Sequence, residues 1–234
     1  MIAYSSNELV RLSQKLLYAV KTGRDSQGLQ QALAGFHHNQ LIETLPDDDH
    51  KKSFCVNLYN AYTQLLLQQN RLAYNNRLSF FSKKQITVAD RQYSLNDIEH
   101  RVLRCGKTWW GFGYIANPFL PARIRQLQPQ QLDCRLHFAL NCGAVSCPPI
   151  AFYNHEHLNN QLNLATQSYL QNEVRYEYNT HTLHLPKLMC WYRADFGGEA
   201  GMLRLVRKWS LLPVDATPRI RFNPYNWSLK LGAF

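Results

Sequence analysis

The sequence predicts a mixed α+β fold, and three observations carry that prediction. Several long stretches space their apolar residues at helical intervals, one ten-residue stretch alternates apolar and polar residues strictly, and Gly/Pro punctuation separates them. A chain of 234 residues is within reach of one hydrophobic core, and no low-complexity segment, charge block or Gly/Ser linker divides it. One domain over residues 1–234 is therefore expected, with central helices packed on a short antiparallel sheet. The 45% apolar and 12% aromatic content is ample for such a core and excludes disorder.

Taken in order, Ser6 and Asn7 precede Leu9, Val10, Leu12, Leu16, Leu17 and Val20, a helical stripe that ends near Gly23. A shorter helix is expected from Ser26 to about Phe36. Asp47, Asp48 and Asp49 then place negative charge at the positive end of a third helix. That helix carries Phe54, Leu58, Ala61, Tyr62, Leu65 and Leu66 at helical spacing to about Gln69, which makes it the central-helix candidate. Gln85–Ala89 followed by Asp90–Tyr93 forms a hairpin pattern. Ser94 with Asp97 is a capping pair for a helix from Leu95 to Arg104, stopped by Gly106. Trp109–Leu127 is expected to be mostly loop.

Leu132–Asn141 carries the strict alternation and is expected to be a strand, with Asp133, Arg135, His137 and Asn141 on its polar face. A sharp turn over Gly143–Pro149 follows, and Pro148-Pro149 cannot continue a ladder. A helix from His155 to about Leu170, a hairpin of Val174–Tyr178 with Thr182–Leu185, a helix from Gly198 to Trp209 and an extended aromatic tail from Arg219 to Leu231 complete the chain.

The N-terminus has neither a basic nor an apolar segment of the signal-peptide kind, and no apolar run approaches the roughly 20 residues of a membrane span. The six cysteines are scattered, so they are expected to be reduced thiols in the cytoplasm. The formal charge of +10 permits non-specific polyanion affinity, but the basic residues are dispersed and no helix-turn-helix, zinc-finger or RNA-binding signature occurs. No dedicated nucleic-acid partner is expected.

Four segments together resemble the domain-of-unknown-function 547 family. They are Phe54–Ala61, Ser94–His100 with Arg104, His137–Pro149 and Trp191–Phe196, and Tyr225–Leu229 matches the family's usual ending. The resemblance runs from Lys51 to the C-terminus, which makes 51–234 the family-like core and 1–45 an N-terminal helical extension. It implies no activity, since the family is named for lacking one. The sequence departs from the family's pattern at Cys55, where Trp is usual, at Asn226, where Asp is usual, and at Lys230, where Asn is usual. Plant-like members often carry Ser at the position of Cys147.

Around His137 the residue types suit a cysteine nucleophile. A thiol attacks as its thiolate, and a neighbouring imidazole is what lowers its pKa. Cys142 or Cys147 would be the nucleophile, His137 the base and Asp133 or Asp195 its orienter, with Asp195 preferred. Backbone amides of Gly143–Ser146 would form an oxyanion hole. Arg135 would hold a substrate carboxylate, and Asn141, Ser146, Asn57, Asn60, Trp191 and Tyr192 would line the cleft, which points to a small-molecule or peptide substrate bearing an amide. The structural alternative makes the cysteines small hydrophobes and Asn57, Asn60 and Gln64 clamps on backbone.

Metal ligation by His137, Cys142 and Cys147 matches no usual knuckle spacing, even with help from His155, His157, His181 or His184. No metal or cofactor is expected. Glu99, His100, Arg101 and Arg104 are expected to form a solvated helix face. The order of helix, His137 and Asp195 is loosely similar to papain-like and transglutaminase-like folds, by analogy alone. Cys55 near the start of the central helix would be the nucleophile in that analogy, but it stands where the family has Trp.

Overall fold

A computed structural model describes residues 7–108 and 110–234. Ser6, expected to help start the first helix, and Trp109, the first residue of the expected loop, lie outside the described residues. The fold is α+β. Helix α1 (Glu8–Thr22) ends on Gly23 in the left-handed region, and α2 (Gln27–Ala34) and α3 (His38–Glu43) follow. Helix α4 (Asp48–Gln69) is the central element: Asp47 caps it by accepting from the His50 amide, and α1 packs along it.

A 3₁₀ turn (Arg71–Asn76) and α5 (Arg77–Ser82) lead to the hairpin of β1 (Ile86–Val88) and β2 (Arg91–Tyr93). Its two-residue loop, Ala89 and Asp90, has positive φ at both positions, the twist that suits such a hairpin. Ser94 and Asp97 form the expected reciprocal cap, Asp97 Oδ2 accepting from the Ser94 amide and Ser94 Oγ from the Asp97 amide. The helix they start, Asp97–Leu103, is a π-helix, closed by an Arg104 amide bond to the Glu99 carbonyl at 2.9 Å.

Helix α6 (Ala122–Leu127) lies within the expected loop. Helix α7 (Leu158–Glu173) precedes the antiparallel pair β3 (Arg175–Glu177) and β4 (Thr182–Leu185), and then come α8 (Lys187–Trp191) and α9 (Gly198–Lys208). Strand β5 (Arg219–Phe222) joins β4 in parallel as the third strand of that sheet.

The expected strand over Leu132–Asn141 is overturned. Cys134–Phe138 is a 3₁₀ turn, started by Asp133, whose carboxylate accepts from the Arg135 amide and side chain. Leu136 through Asn141 are buried without interruption, so the alternating pattern does not separate an inner from an outer face. The segment finds side chains in place of a neighbouring strand. Asn60 of α4 donates to the Ala139 carbonyl at 2.9 Å and accepts from the Asn141 amide at 2.8 Å.

Two apolar clusters form the interior. The first gathers α1, α2, α4, β1, β2 and the π-helix, and includes Leu136, Ala139 and Leu140; the second gathers α7, β4, α8 and α9, and includes Phe138 and Phe196. His137 therefore lies where the two meet.

Asn60→Ala would leave a carbonyl and an amide buried without partners, at about 1–3 kcal/mol each. Urea denaturation is expected to show about 3 kcal/mol less stability. A loss below about 1 kcal/mol would mean that the 3₁₀ turn finds other partners.

Candidate functional site

Six polar side chains from three segments converge at that junction. The π-helix and the residue that caps its end supply Glu99, His100 and Arg104, the 3₁₀ turn supplies His137, and the turns between α8 and α9 supply Tyr192 and Asp195. His137 Nε2 lies 2.9 Å from Asp195 Oδ2. Arg104 grips the same carboxylate twice, Nε at 2.6 Å from Oδ2 and an Nη at 3.3 Å from Oδ1. Its other Nη reaches His100 Nδ1 and the Thr108 carbonyl, both at 3.1 Å. Tyr192 donates to Glu99 at 2.7 Å and stacks on His137 with ring centroids 3.9 Å apart, while the guanidinium lies over the Tyr192 ring at 4.5 Å. The Asp195 side chain is fully buried and those of Arg104 and His137 are each 2% exposed.

The loop before α6 packs against this group. Phe112 accepts from the Ala194 amide, and the next residue is Gly113 at φ +82°. A Cβ there would meet Asp195 Oδ1 at 2.5 Å, so a side chain at this position would have to displace the carboxylate.

Burial alone would raise the Asp195 carboxyl, yet the His137 and Arg104 hydrogen bonds and charges hold it below its ordinary value. Glu99 is likewise pushed up by burial but held low overall by His100, Tyr192 and Arg104. Burial pushes both His100 and His137 down, so they are neutral at pH 7. A carboxylate only accepts, so Nε2 of neutral His137 carries the proton and Nδ1 carries the lone pair. Among the described residues Nδ1 has no hydrogen-bond partner.

The thiols form a second group beside the first. The Cys142 amide donates to Cys147 Sγ at 3.0 Å, and the Tyr225 hydroxyl lies 3.3 Å from one sulfur and 3.2 Å from the other. The influence of Cys147, with Tyr225 and the Ala144 amide, holds Cys142 below the ordinary thiol value against the effect of burial. Cys147 is raised well above it, by burial first and then by Cys142. Tyr225 packs with Trp191 and Trp227 at 4.8 and 4.6 Å, and Arg77 covers the Trp227 ring. Among the described residues no thiol lies within hydrogen-bond distance of His100 or His137.

Several expected ligand contacts are already taken. The amides of Gly143, Val145 and Ser146 donate to Asn141 Oδ1, the Ser228 carbonyl and the Asn226 carbonyl, so the expected oxyanion hole is not formed. Ser146 Oγ accepts from the Asn226 amide. Asn57 holds both backbone groups of Tyr153, and Asn141 donates to the Pro148 carbonyl. Arg135 pairs with Asp133 and donates to Asn159 and Asn163 of α7, apart from the His137–Asp195 pair. Of the expected lining, Trp191 and Tyr192 stand beside the two groups. Burial pushes the Cys55 thiol up to about 12, which leaves it inert.

The solvated face expected over Glu99–Arg104 is a correction: Glu99, His100 and Arg104 are buried. The π-helix that turns them inward has no composition signal. Tyr225 was legible as an aromatic but not as the hub of the thiols.

A family model described as Protein of unknown function, DUF547 matches residues 42–170, more than half of the chain. This chain belongs to that family. The matched DUF547 stretch holds Glu99, Arg104, His137 and both thiols, whereas Asp195 and Tyr225 come from beyond it. Comparison with curated proteins and with solved structures found no match.

Both histidines have folded-state pKa values below their ordinary 6.5, so the unfolded chain binds more protons as pH falls past that value. The depressed Asp195 and Glu99 add to the same trend at lower pH. Stability measured by urea denaturation is therefore expected to be full above pH 7 and to decline from about pH 6.5 downward, with a shallower decline in His100→Gln. A flat profile to pH 5 would show that the imidazoles are not held neutral.

Proposed function

We propose that this chain is a thiol-dependent hydrolase or acyltransferase acting on an amide or peptide, with Cys142 as nucleophile and His137 with Asp195 as the proton-transfer pair. The buried Asp195–His137 contact carries this reading, because it fixes the tautomer and leaves Nδ1 as a base. Arg104 holds the carboxylate ionised without touching the reacting atoms. The Tyr225 hydroxyl touches both sulfurs, and Cys142 is assigned the attack because its thiol is held below the ordinary value while burial and Cys142 raise Cys147.

In the proposed reaction Nδ1 takes the Cys142 proton through one intervening water, and the sulfur attacks the carbonyl carbon. The imidazolium returns that proton to the leaving amine as the C–N bond breaks. A second water, or an acceptor amine or hydroxyl, then loses its proton to Nδ1 and attacks the thioester, releasing the acid or the transferred acyl product and the thiol. Trp191 and Tyr192 would flank the acyl group. Arg135 is not proposed as a substrate clamp, because its guanidinium is already engaged. A second reading, a non-catalytic binding module using the same surface, is favoured by the lack of a direct thiol–imidazole contact.

p-Nitrophenyl acetate separates the two. Acyl transfer predicts a burst of about one equivalent of nitrophenol, an acetyl group on Cys142 by mass spectrometry, and a rate lower by about 10²–10⁴ in His137→Gln. Acetylation spread over several cysteines and indifferent to His137 would support the binding module instead.

A further inference from the structure

Cys142 and Cys147 differ from the other four cysteines in more than position. Cys55 and Cys134 are pushed up to about 12 and 11, Cys105 is raised by burial and faces the Pro129 carbonyl, and Cys190 lies in α8. Only the pair in the turn brings two sulfurs together among the described residues. The chain reverses there because Gly143 adopts φ +85° and the Cys147 amide closes on the Ala144 carbonyl at 3.1 Å. Both residues are partly exposed, and both sulfurs rest on one hydroxyl, that of Tyr225.

We propose that Cys142 and Cys147 are a reversible dithiol–disulfide site, oxidised by exchange with the disulfide of a small thiol such as glutathione. The two sulfurs have separate parts. Both sulfurs meet the Tyr225 hydroxyl and the Cys142 amide lies against Cys147 Sγ; Cys142, the thiol held low, attacks as thiolate, and Cys147, the thiol held high, resolves. The Cys142 thiolate attacks one sulfur of the small disulfide, forming a mixed disulfide and expelling one small thiolate. That thiolate takes the Cys147 proton. Cys147 then attacks the Cys142 sulfur, forming the internal disulfide and expelling the second small thiolate, which takes up the proton that Cys142 had released to solvent. Two protein thiols are oxidised, and one small disulfide is reduced to two thiols.

The site does not depend on acyl transfer, although oxidation would remove the nucleophile of that reaction. It has a structural readout of its own. The disulfide has no S–H for the Tyr225 hydroxyl to meet, and Tyr225 is packed against Trp191 and Trp227, so oxidation is expected to change tryptophan fluorescence.

The deciding experiment equilibrates the full chain with glutathione buffers of rising oxidised fraction, quenches, and maps free and bridged cysteines by differential alkylation and mass spectrometry. The expected result is joint loss of alkylation at Cys142 and Cys147, with one cross-linked peptide, at a midpoint independent of protein concentration. Cys147→Ser is expected to accumulate glutathione on Cys142. Two thiols that stay alkylatable in the most oxidising buffer, or bridges to other cysteines, would overturn the proposal, and the wild-type map decides this even if the variant fails to fold. No acyl substrate is involved. An absent nitrophenol burst thus leaves this result standing, and a Cys142 that is acetylated but never bridged sinks only the redox site.

Discussion

Three amides on one face of α4 hold the rest of the molecule in register. Asn57 fixes Tyr153, Asn60 fixes Ala139 and Asn141, and Gln64 accepts from the Gly232 amide while reaching Asn141. None of the three is exposed to solvent. Each supplies irregular backbone with the donors and acceptors that a neighbouring strand would otherwise give, and buried backbone cannot do without them. The central helix thereby acts as the template for the 3₁₀ turn, the thiol turn and the tail. His137 stands where it does because Asn60 holds the residues just after it.

The charged group depends on that template for its cost. Burying Arg104, Asp195 and Glu99 between two apolar clusters is expensive unless every charge is paired and hydrogen-bonded. Here one guanidinium answers one carboxylate, a tyrosine answers the other, and two neutral imidazoles fill the remaining directions. An apolar repacking of the same volume would cost less to bury.

The sequence makes the regular parts legible. The helical stripe of α1, the aspartates before α4, the Ser94–Asp97 cap and both hairpins follow from local rules, and the structure has them. Period-two alternation at Leu132–Asn141 misled because His137 and Asn141 are buried with polar partners, which hydropathy cannot distinguish from exposure. The inward turn of Glu99, His100 and Arg104 was hidden for a related reason: a π-helix changes which side chains share a face without changing composition. The juxtaposition of His137 with Asp195, by contrast, was suggested by residue chemistry alone. Tyr225 meets the thiols from about 80 residues away, a distance that no local pattern spans.

The tail has a consequence for how the protein is made. Residues 226–233 are bound backbone to backbone along the thiol turn, at Val145, Ser146, Gly143 and Ile150, and Tyr225 closes over the sulfurs. Synthesis runs from the N-terminus, so α1, α4 and the thiol turn are already made while this strap is still inside the ribosome. The nascent chain thus passes through a stage with a nearly complete helical core and uncovered cysteines. Oxidants and thiol-reactive chemicals would find their target most open during translation, before residues 225–233 arrive to cover it.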